Sequence, residues 1–408
     1  MTKPLPTIVL IGHGMVGQRY LEALAERGAT RTHRITVLCE EPRPAYDRVH
    51  LTSYFSGSTA EDLSMTPAGF MEEHGIALHL DDPAEHVDRD ARTVTSRSGR
   101  VFPYDVLVLA TGSYPFVPPV PGKDAPGCFV YRTIDDLDAI RAAAQGATGR
   151  PGVVIGGGLL GLEAANALRL LGMRPHVVEM ASRLMAVQLD QGAGDVLAEM
   201  IGELGVTVHC SAVTEAIVAG PDGSVAGVRL ADGTLLETEL VIFSAGVRPR
   251  DELAEPAGLA RAERGGFLVD QRCRTQDEHI WAIGECAAVE GRCYGLAAPG
   301  FAMAKVVADQ LTGGGDAVFG GADMSTKLKL LGVDVASFGD AHATTPGALE
   351  FVRADRDAGT YARLVLSEDG RTLLGGVLAG DARAYPMLRA LLGRELPGPV
   401  DQLLSPAG

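Results

Sequence analysis

Thr7-Ile-Val-Leu-Ile11 runs into Gly12-His-Gly14-Met-Val-Gly17, and 156 − 12 = 144 residues on, Gly152-Val-Val-Ile155 runs into Gly156-Gly-Gly158-Leu-Leu-Gly161. Each apolar run reads as a buried strand, each glycine cluster as a turn, and Gln18 to Arg27 and Leu162 to Leu171 as helices. A second strand follows in each copy, Ile35–Leu38 and His176–Val178, and runs out at an acid: Glu40 and Glu41 in the first, Glu179 in the second. Strand, glycine turn, helix, strand, acid is the repeating unit of a doubly wound parallel sheet. The spacing is too long for a solenoid and suits two domains. The fold class is therefore α/β, with two Rossmann-like doubly wound dinucleotide-binding domains.

The glycines have separate duties. Gly12 and Gly156 permit the turn, Gly14 and Gly158 let backbone approach a pyrophosphate, and Gly17 and Gly161 let helix pack on strand. Met15 and Val16, like Leu159 and Leu160, then bring the first helical amides to the phosphates, where the helix dipole favours negative charge. The acids accept hydrogen bonds from a ribose. One such turn is weak evidence; the full pattern twice implies two dinucleotides, a flavin and a nicotinamide. The Glu179 carboxylate suits the 2′-hydroxyl of NAD and repels the 2′-phosphate of NADP, so NADH is expected over NADPH. Arg183 either neutralises such a phosphate or is a solvated surface arginine.

Two segments read as crossings between domains: the proline-rich Tyr114-Pro-Phe-Val-Pro-Pro-Val-Pro-Gly122, and the strand Leu240–Pro249 that ends in a turn. Gly313-Gly-Gly315 and Gly320-Gly321 mark a third boundary. The expected domains are 1–115 and 246–315 for the first dinucleotide domain in two parts, 116–245 for the second, and 316–408 for a small C-terminal α+β domain. In the tail, Tyr361–Leu366 and Thr372–Leu378 flank Glu368-Asp-Gly370 as a hairpin, and Tyr385–Leu392 reads as a helix.

Composition excludes other classes. Lys and Arg number 36 against 52 Asp and Glu, a formal charge of −16 that repels nucleic acid and anionic lipid. No apolar run reaches the ~20 residues of a membrane helix, and the start lacks the regions of a signal peptide, so a cytoplasmic protein is expected. Six cysteines without a CxxC pair give neither a disulfide framework nor a metal site. His13, inside the first turn, reads as a turn residue rather than a proton donor.

Val108-Leu-Ala110-Thr111-Gly112-Ser113, Ala245-Gly246-Val247-Arg248-Pro249 and Ile280-Trp-Ala-Ile-Gly284-Glu285 resemble further fingerprints of two-dinucleotide flavoprotein reductases. The resemblance implies FAD in the first domain and NAD in the second. It places Glu285, where most relatives carry Asp, at the ribityl–phosphate end of the flavin. Ala297, in Leu296-Ala-Ala-Pro299, would open a helix aimed at the flavin ring. The resemblance adds Arg48, Val87, Ala110, Thr111, Gly112, Gly246 and Gly284 to the cofactor-binding set. Glu163 is either a nicotinamide contact or an acid in the first turn of its helix, favoured by the dipole.

Glu40–Phe55, Ala60–Leu63, Leu184–Asp190 and Ser325–Asp340 further resemble the N-terminal flavoprotein part of the NAD(P)H nitrite reductase large subunit. That resemblance implies hydride uptake from NADH, onward delivery of single electrons to a separate iron–sulfur or sirohaem partner, and a homodimer formed through the tail. Members of that family continue into iron–sulfur and sirohaem modules. This sequence stops at Gly408 without a cysteine cluster, so six-electron nitrite reduction by the chain alone is not expected. Disulfide reductases carry redox cysteines soon after the first unit; Pro42–Phe55 has none, and Cys286 is the one to check. Ser53 stands where ferredoxin and rubredoxin reductases often carry a flavin lysine. Lys327 is either a flavin or acceptor contact or, with Lys329, a solvated strand charge. Two other functions remain open: a ferredoxin/rubredoxin reductase-like component of another pathway, and a redox sensor that holds FAD and NAD with little turnover.

Overall fold

The computed structural model describes residues 4–404. They divide into two compact units: residues 4–54, 58–114 and 247–322 in the first, 55–57, 115–246 and 323–404 in the second. The first unit is built on a parallel sheet in the order Ile280–Ala282, Val106–Leu109, Thr7–Ile11, Arg34–Leu38, Ala77–His79. The second repeats that plan as Thr207–His209, Arg174–Val178, Pro151–Ile155, Val241–Phe243, Cys128–Val130, again all parallel. In both, the strand before the glycine turn is flanked by the next strand on one side and by a much later one on the other. The chain therefore leaves each glycine turn at the sheet's switch point, where an open α/β sheet offers a crevice at its carboxyl ends.

The central strands are mostly apolar because both faces are covered. Ile8, Val9, Leu10, Val37, Leu107, Val108 and Leu109 are buried in the first unit, and Val153, Val154, Val177, Val241 and Ile242 in the second. The helices differ from expectation at their starts. They span Met15–Glu26 and Leu159–Leu170, so each begins one residue after the second glycine, three residues before the expected Gln18 and Leu162. The third glycine therefore lies inside the helix, where a side chain would collide with the turn.

The tail folds as an antiparallel sheet in the order Thr326–Leu330, Val333–Gly339, Leu373–Gly380, Thr360–Leu366, Leu349–Asp355, with the helix Tyr385–Ala390. Phe338, Leu364, Leu366, Leu373, Leu378 and Leu388 form its core. It shares a unit with residues 115–246 and packs on the helix Gln191–Glu203 of that segment.

Candidate functional site

The two glycine turns have the same geometry. Gly12 sits at φ +102° and a Cβ there would lie 2.6 Å from the Ala110 carbonyl carbon; Gly156 sits at φ +117°, with the same 2.6 Å to Ser244. A Cβ on Gly17 would lie 2.5 Å from the Gly12 oxygen, and one on Gly161 2.9 Å from the Gly156 carbonyl carbon. These four positions exclude a side chain for reasons internal to the fold. Gly14 and Gly158 do not: each has extended backbone, and a Cβ would meet nothing within 4 Å. At those two positions nothing in the folded chain excludes a side chain.

Those same residues are the N-caps of Met15–Glu26 and Leu159–Leu170, with no side-chain cap and no acid in the first turn. The Ile134–Ala143 helix shows the usual alternative, a Thr133/Asp136 capping box with Asp135 and Asp136 in its first turn. The Ala297–Leu311 helix is uncapped too. Bare amides at a glycine cradle are the groups that receive a pyrophosphate.

Around the first turn the structure brings together residues from distant segments. Val16 lies against Gly284 and Gly300: a Cβ on Gly300 would approach Val16 Cγ2 to 2.6 Å. Arg27 ties the far ends of the Met15 and Ala297 helices by a 2.6 Å bond to Asp309. Ser113 donates to Glu285 at 2.8 Å, and Thr111 to the Arg250 carbonyl at 2.6 Å. Gly112 and Gly284 take φ of +74° and +81°, which turns the backbone beside Glu285. Glu40 pairs with Arg250, while Glu41 is held by Arg48 and by the Tyr46 hydroxyl at 2.7 Å. The two adjacent acids thus have different surroundings. Val87 is buried in this unit's core, paired with Val94. Ser53 donates to the His50 carbonyl at 2.8 Å.

His13 is 5% exposed, accepts from the Ala45 amide on Nδ1 and donates from Nε2 to Gln18. Burial lowers its pKa to about 4, so the ring is neutral and structural at ordinary pH. All six cysteines are free. Cys286 is buried, bonded to the Leu109 and Ile283 carbonyls, and burial raises its pKa, which makes it an unreactive thiol.

At the second turn, Glu179 accepts from the Gly157 amide at 2.6 Å and the Ala181 amide at 2.7 Å. Its stem lies so close that a Cβ on Gly157 would sit 2.9 Å from Glu179 Cβ. Arg183 is half-buried and donates to the Leu189 carbonyl at 2.8 Å and to that of Ala186 at 3.2 Å. Glu163 lies in the helix at its fifth residue, beyond the first turn. Gly246 takes φ +108° in open space. Lys327 is exposed on the tail's edge strand; the Lys329 side chain lies outside the described residues.

Sequence reading missed Gly157, Gly300, Ser113 and Arg250. Gly157 and Ser113 had a signal, since each sits inside a quoted motif; Gly300 and Arg250 depend on partners far along the chain. Among the described residues no group of three or more His, Cys, Asp or Glu is placed to hold a metal ion. No helix among them is long and apolar enough to cross a membrane.

Residues 6–308 match the pyridine nucleotide-disulphide oxidoreductase family, and residues 325–396 the rubredoxin NAD+ reductase C-terminal domain. The nitrite reductase (NAD(P)H) large subunit of Klebsiella oxytoca is 53% identical over 100% of this chain and 42% of its own length. The rubredoxin-NAD(+) reductase of Alcanivorax borkumensis is 30% identical over 96% of this chain and 98% of its own. Among solved structures, the ferredoxin reductase for the CYP199A2 system of Rhodopseudomonas palustris superposes with a TM-score of 0.82 at 27% identity, covering 96% of both chains. The chain spans less than half the length of the nitrite reductase relatives it matches.

Proposed function

Since the chain belongs to the pyridine nucleotide-disulphide oxidoreductase family, we propose that it is an FAD-dependent NADH:acceptor oxidoreductase that serves a separate iron–sulfur or sirohaem nitrite reductase partner. The observation that carries the reading is the pair of open cradles at Gly14 and Gly158, each at a bare helix N-terminus and a sheet switch point. Gly12, Gly14, Met15, Val16, Gly17, Ala110, Thr111, Gly112, Gly284, Glu285 and Ala297 would hold FAD, with Glu40, Glu41, Arg48 and Val87 around it. Gly156, Gly158, Leu159, Leu160, Gly161, Glu163, Glu179 and Gly246 would hold NADH. Bound FAD supplies the conversion of a two-electron donor into single electrons.

The chain's own work is binding and orientation. Met15 and Val16 present amides to one pyrophosphate, Leu159 and Leu160 to the other. Glu179, fixed by two backbone amides, presents acceptor oxygens to a ribose hydroxyl and repels a phosphate. No cysteine serves as a redox relay. Lys327 is the proposed docking cation for the acceptor.

The test is acceptor specificity. NADH supplies two electrons and nitrite needs six, and these 408 residues hold no cysteine cluster for an iron–sulfur or sirohaem relay. The purified chain should oxidise NADH with ferricyanide and make no ammonium from nitrite until a cognate partner is added. Ammonium from nitrite and NADH with the chain alone refutes the proposal. The end-to-end match to the rubredoxin reductase of A. borkumensis favours a second reading, a component that reduces a small iron–sulfur protein of another pathway. Rubredoxin reduction in the same assay separates the two.

A further inference from the structure

The segment after Glu179 is anchored at both ends. At one end, the Met185 amide donates to the Gly157 carbonyl at 2.9 Å, and the Gln188 and Leu189 amides close on the Met185 carbonyl, both at 2.8 Å. Met185 takes φ +48°, a left-handed conformation that a non-glycine residue keeps only when its surroundings hold it. Arg183 donates to the Ala186 and Leu189 carbonyls, and Gly194 makes room for it.

At the other end the partners come from the tail. Asp190 caps the Gln191–Glu203 helix with Oδ1, accepting from Ala193 at 3.1 Å. Its Oδ2 accepts from the Tyr361 hydroxyl at 2.6 Å and from Arg363 at 3.3 Å. The Arg363 side chain is 9% exposed, and its Nε lies 2.9 Å from Glu350. The Tyr361 ring packs against the helix start, where a Cβ on Gly192 would stand 2.6 Å from Tyr361 Cζ. His342 Nε2 donates to the Val187 carbonyl at 2.9 Å.

We infer that Tyr361, Arg363 and His342 are positioning residues for the nicotinamide nucleotide: through Asp190 and Val187 the C-terminal sheet holds residues 183–190 against the Gly156–Gly161 turn. The inference rests on the proposed function and adds a role for the tail to it. Nothing in the capping of a helix requires the second Asp190 oxygen, and nothing in a sheet requires a buried tyrosine hydroxyl and arginine aimed at another segment. Besides docking the tail on the Gln191–Glu203 helix, these bonds fix the end of the loop that meets the glycine turn through Met185.

Two substitutions separate this role from plain stability. Tyr361→Phe removes only the hydroxyl and keeps the ring on Gly192. Asp190→Ser keeps a capping oxygen for Ala193 and loses the reach to Tyr361 and Arg363. NAD+ titrated calorimetrically into the holoprotein should bind roughly tenfold more weakly in Tyr361→Phe, which loses one charge-assisted bond, and at least as much more weakly in Asp190→Ser, which loses two. The KM for NADH should rise in step, with kcat for ferricyanide and flavin content unchanged. The double variant should be no worse than the weaker single one. Hydrogen exchange should quicken at the Met185, Gln188 and Leu189 amides, a readout that needs no nucleotide and that Tyr361→Phe alone provides should Asp190→Ser not fold. Unchanged NAD+ affinity and exchange in folded Tyr361→Phe overturn the inference alone. A wild-type chain that binds no nicotinamide nucleotide overturns the proposed function with it.

Discussion

Gly14→Val tests the first cradle most directly, because a Cβ there meets no neighbour inside the fold. A Cβ at Gly14 meets nothing within 4 Å, and its φ of −95° and ψ of −166° suit valine. The folded apoprotein loses only the better N-cap, about 1 kcal/mol, or a few degrees in Tm at most for a chain this long. Toward a pyrophosphate the change is large. An isopropyl group in the cradle holds the phosphates off the first helical amides, and two charge-assisted hydrogen bonds at ~1.5–3 kcal/mol each amount to ~3–6 kcal/mol, or roughly 10²–10⁴ in Kd. Gly12→Val is the opposite case. Its φ of +102° is closed to valine and its Cβ would overlap the Ala110 carbonyl, so the apoprotein itself should unfold or aggregate. The assay is flavin content by absorbance, with thermal melts of the apoproteins. Comparing holoproteins would mislead, since a ligand at a thousand times its Kd adds about 4 kcal/mol by mass action. Stoichiometric flavin in Gly14→Val, or a Gly12→Val apoprotein as stable as wild type, refutes the division between cradle glycines and packing glycines. Gly158→Val should behave in parallel for NAD+ while leaving flavin content intact.

Wild type should prefer NADH to NADPH in kcat/KM by roughly ten- to a hundredfold, the worth of one charge-assisted bond. Glu179→Gln, which keeps an acceptor oxygen for the Gly157 amide, should narrow the ratio; a wild-type preference for NADPH refutes the assignment of Glu179. His13 has a pKa lowered from 6.5 to about 4 by burial, so the unfolded state binds the extra proton between those values. Keeping this ring unprotonated costs the folded state nothing above pH 6.5 and progressively more as pH drops toward 4, roughly 3 kcal/mol in all. Urea unfolding of His13→Gln at pH 7 and pH 4.5 should show a correspondingly smaller difference than wild type; an identical pH dependence removes His13 as the cause.

The two parallel sheets, their glycine turns and the carboxylate at Glu179 were legible in the sequence, because each depends on a few consecutive residues. A buried strand needs a run of apolar side chains, and a sharp turn into a helix needs glycine where φ is positive. Both facts are local, and the second copy repeats them at Gly156–Gly161. What the string of letters does not distinguish is why each glycine is there. Gly12 and Gly17 are excluded from carrying a side chain by Ala110 and by each other, whereas Gly14 is excluded by nothing in the chain, a contrast that exists only once a strand from residues 106–109 lies beside the turn. Arg183 presents the limit most clearly. Its spacing from Glu179 suits a phosphate or open solvent equally well, and its real partners are backbone carbonyls, which have no side-chain identity to read. Ser113 with Glu285, and Asp190 with Tyr361, lie 172 and 171 residues apart in sequence. Hydrogen bonds of that span leave no periodic trace: they are set by which surfaces the folded elements bring within about 3 Å, and only the tertiary structure decides that.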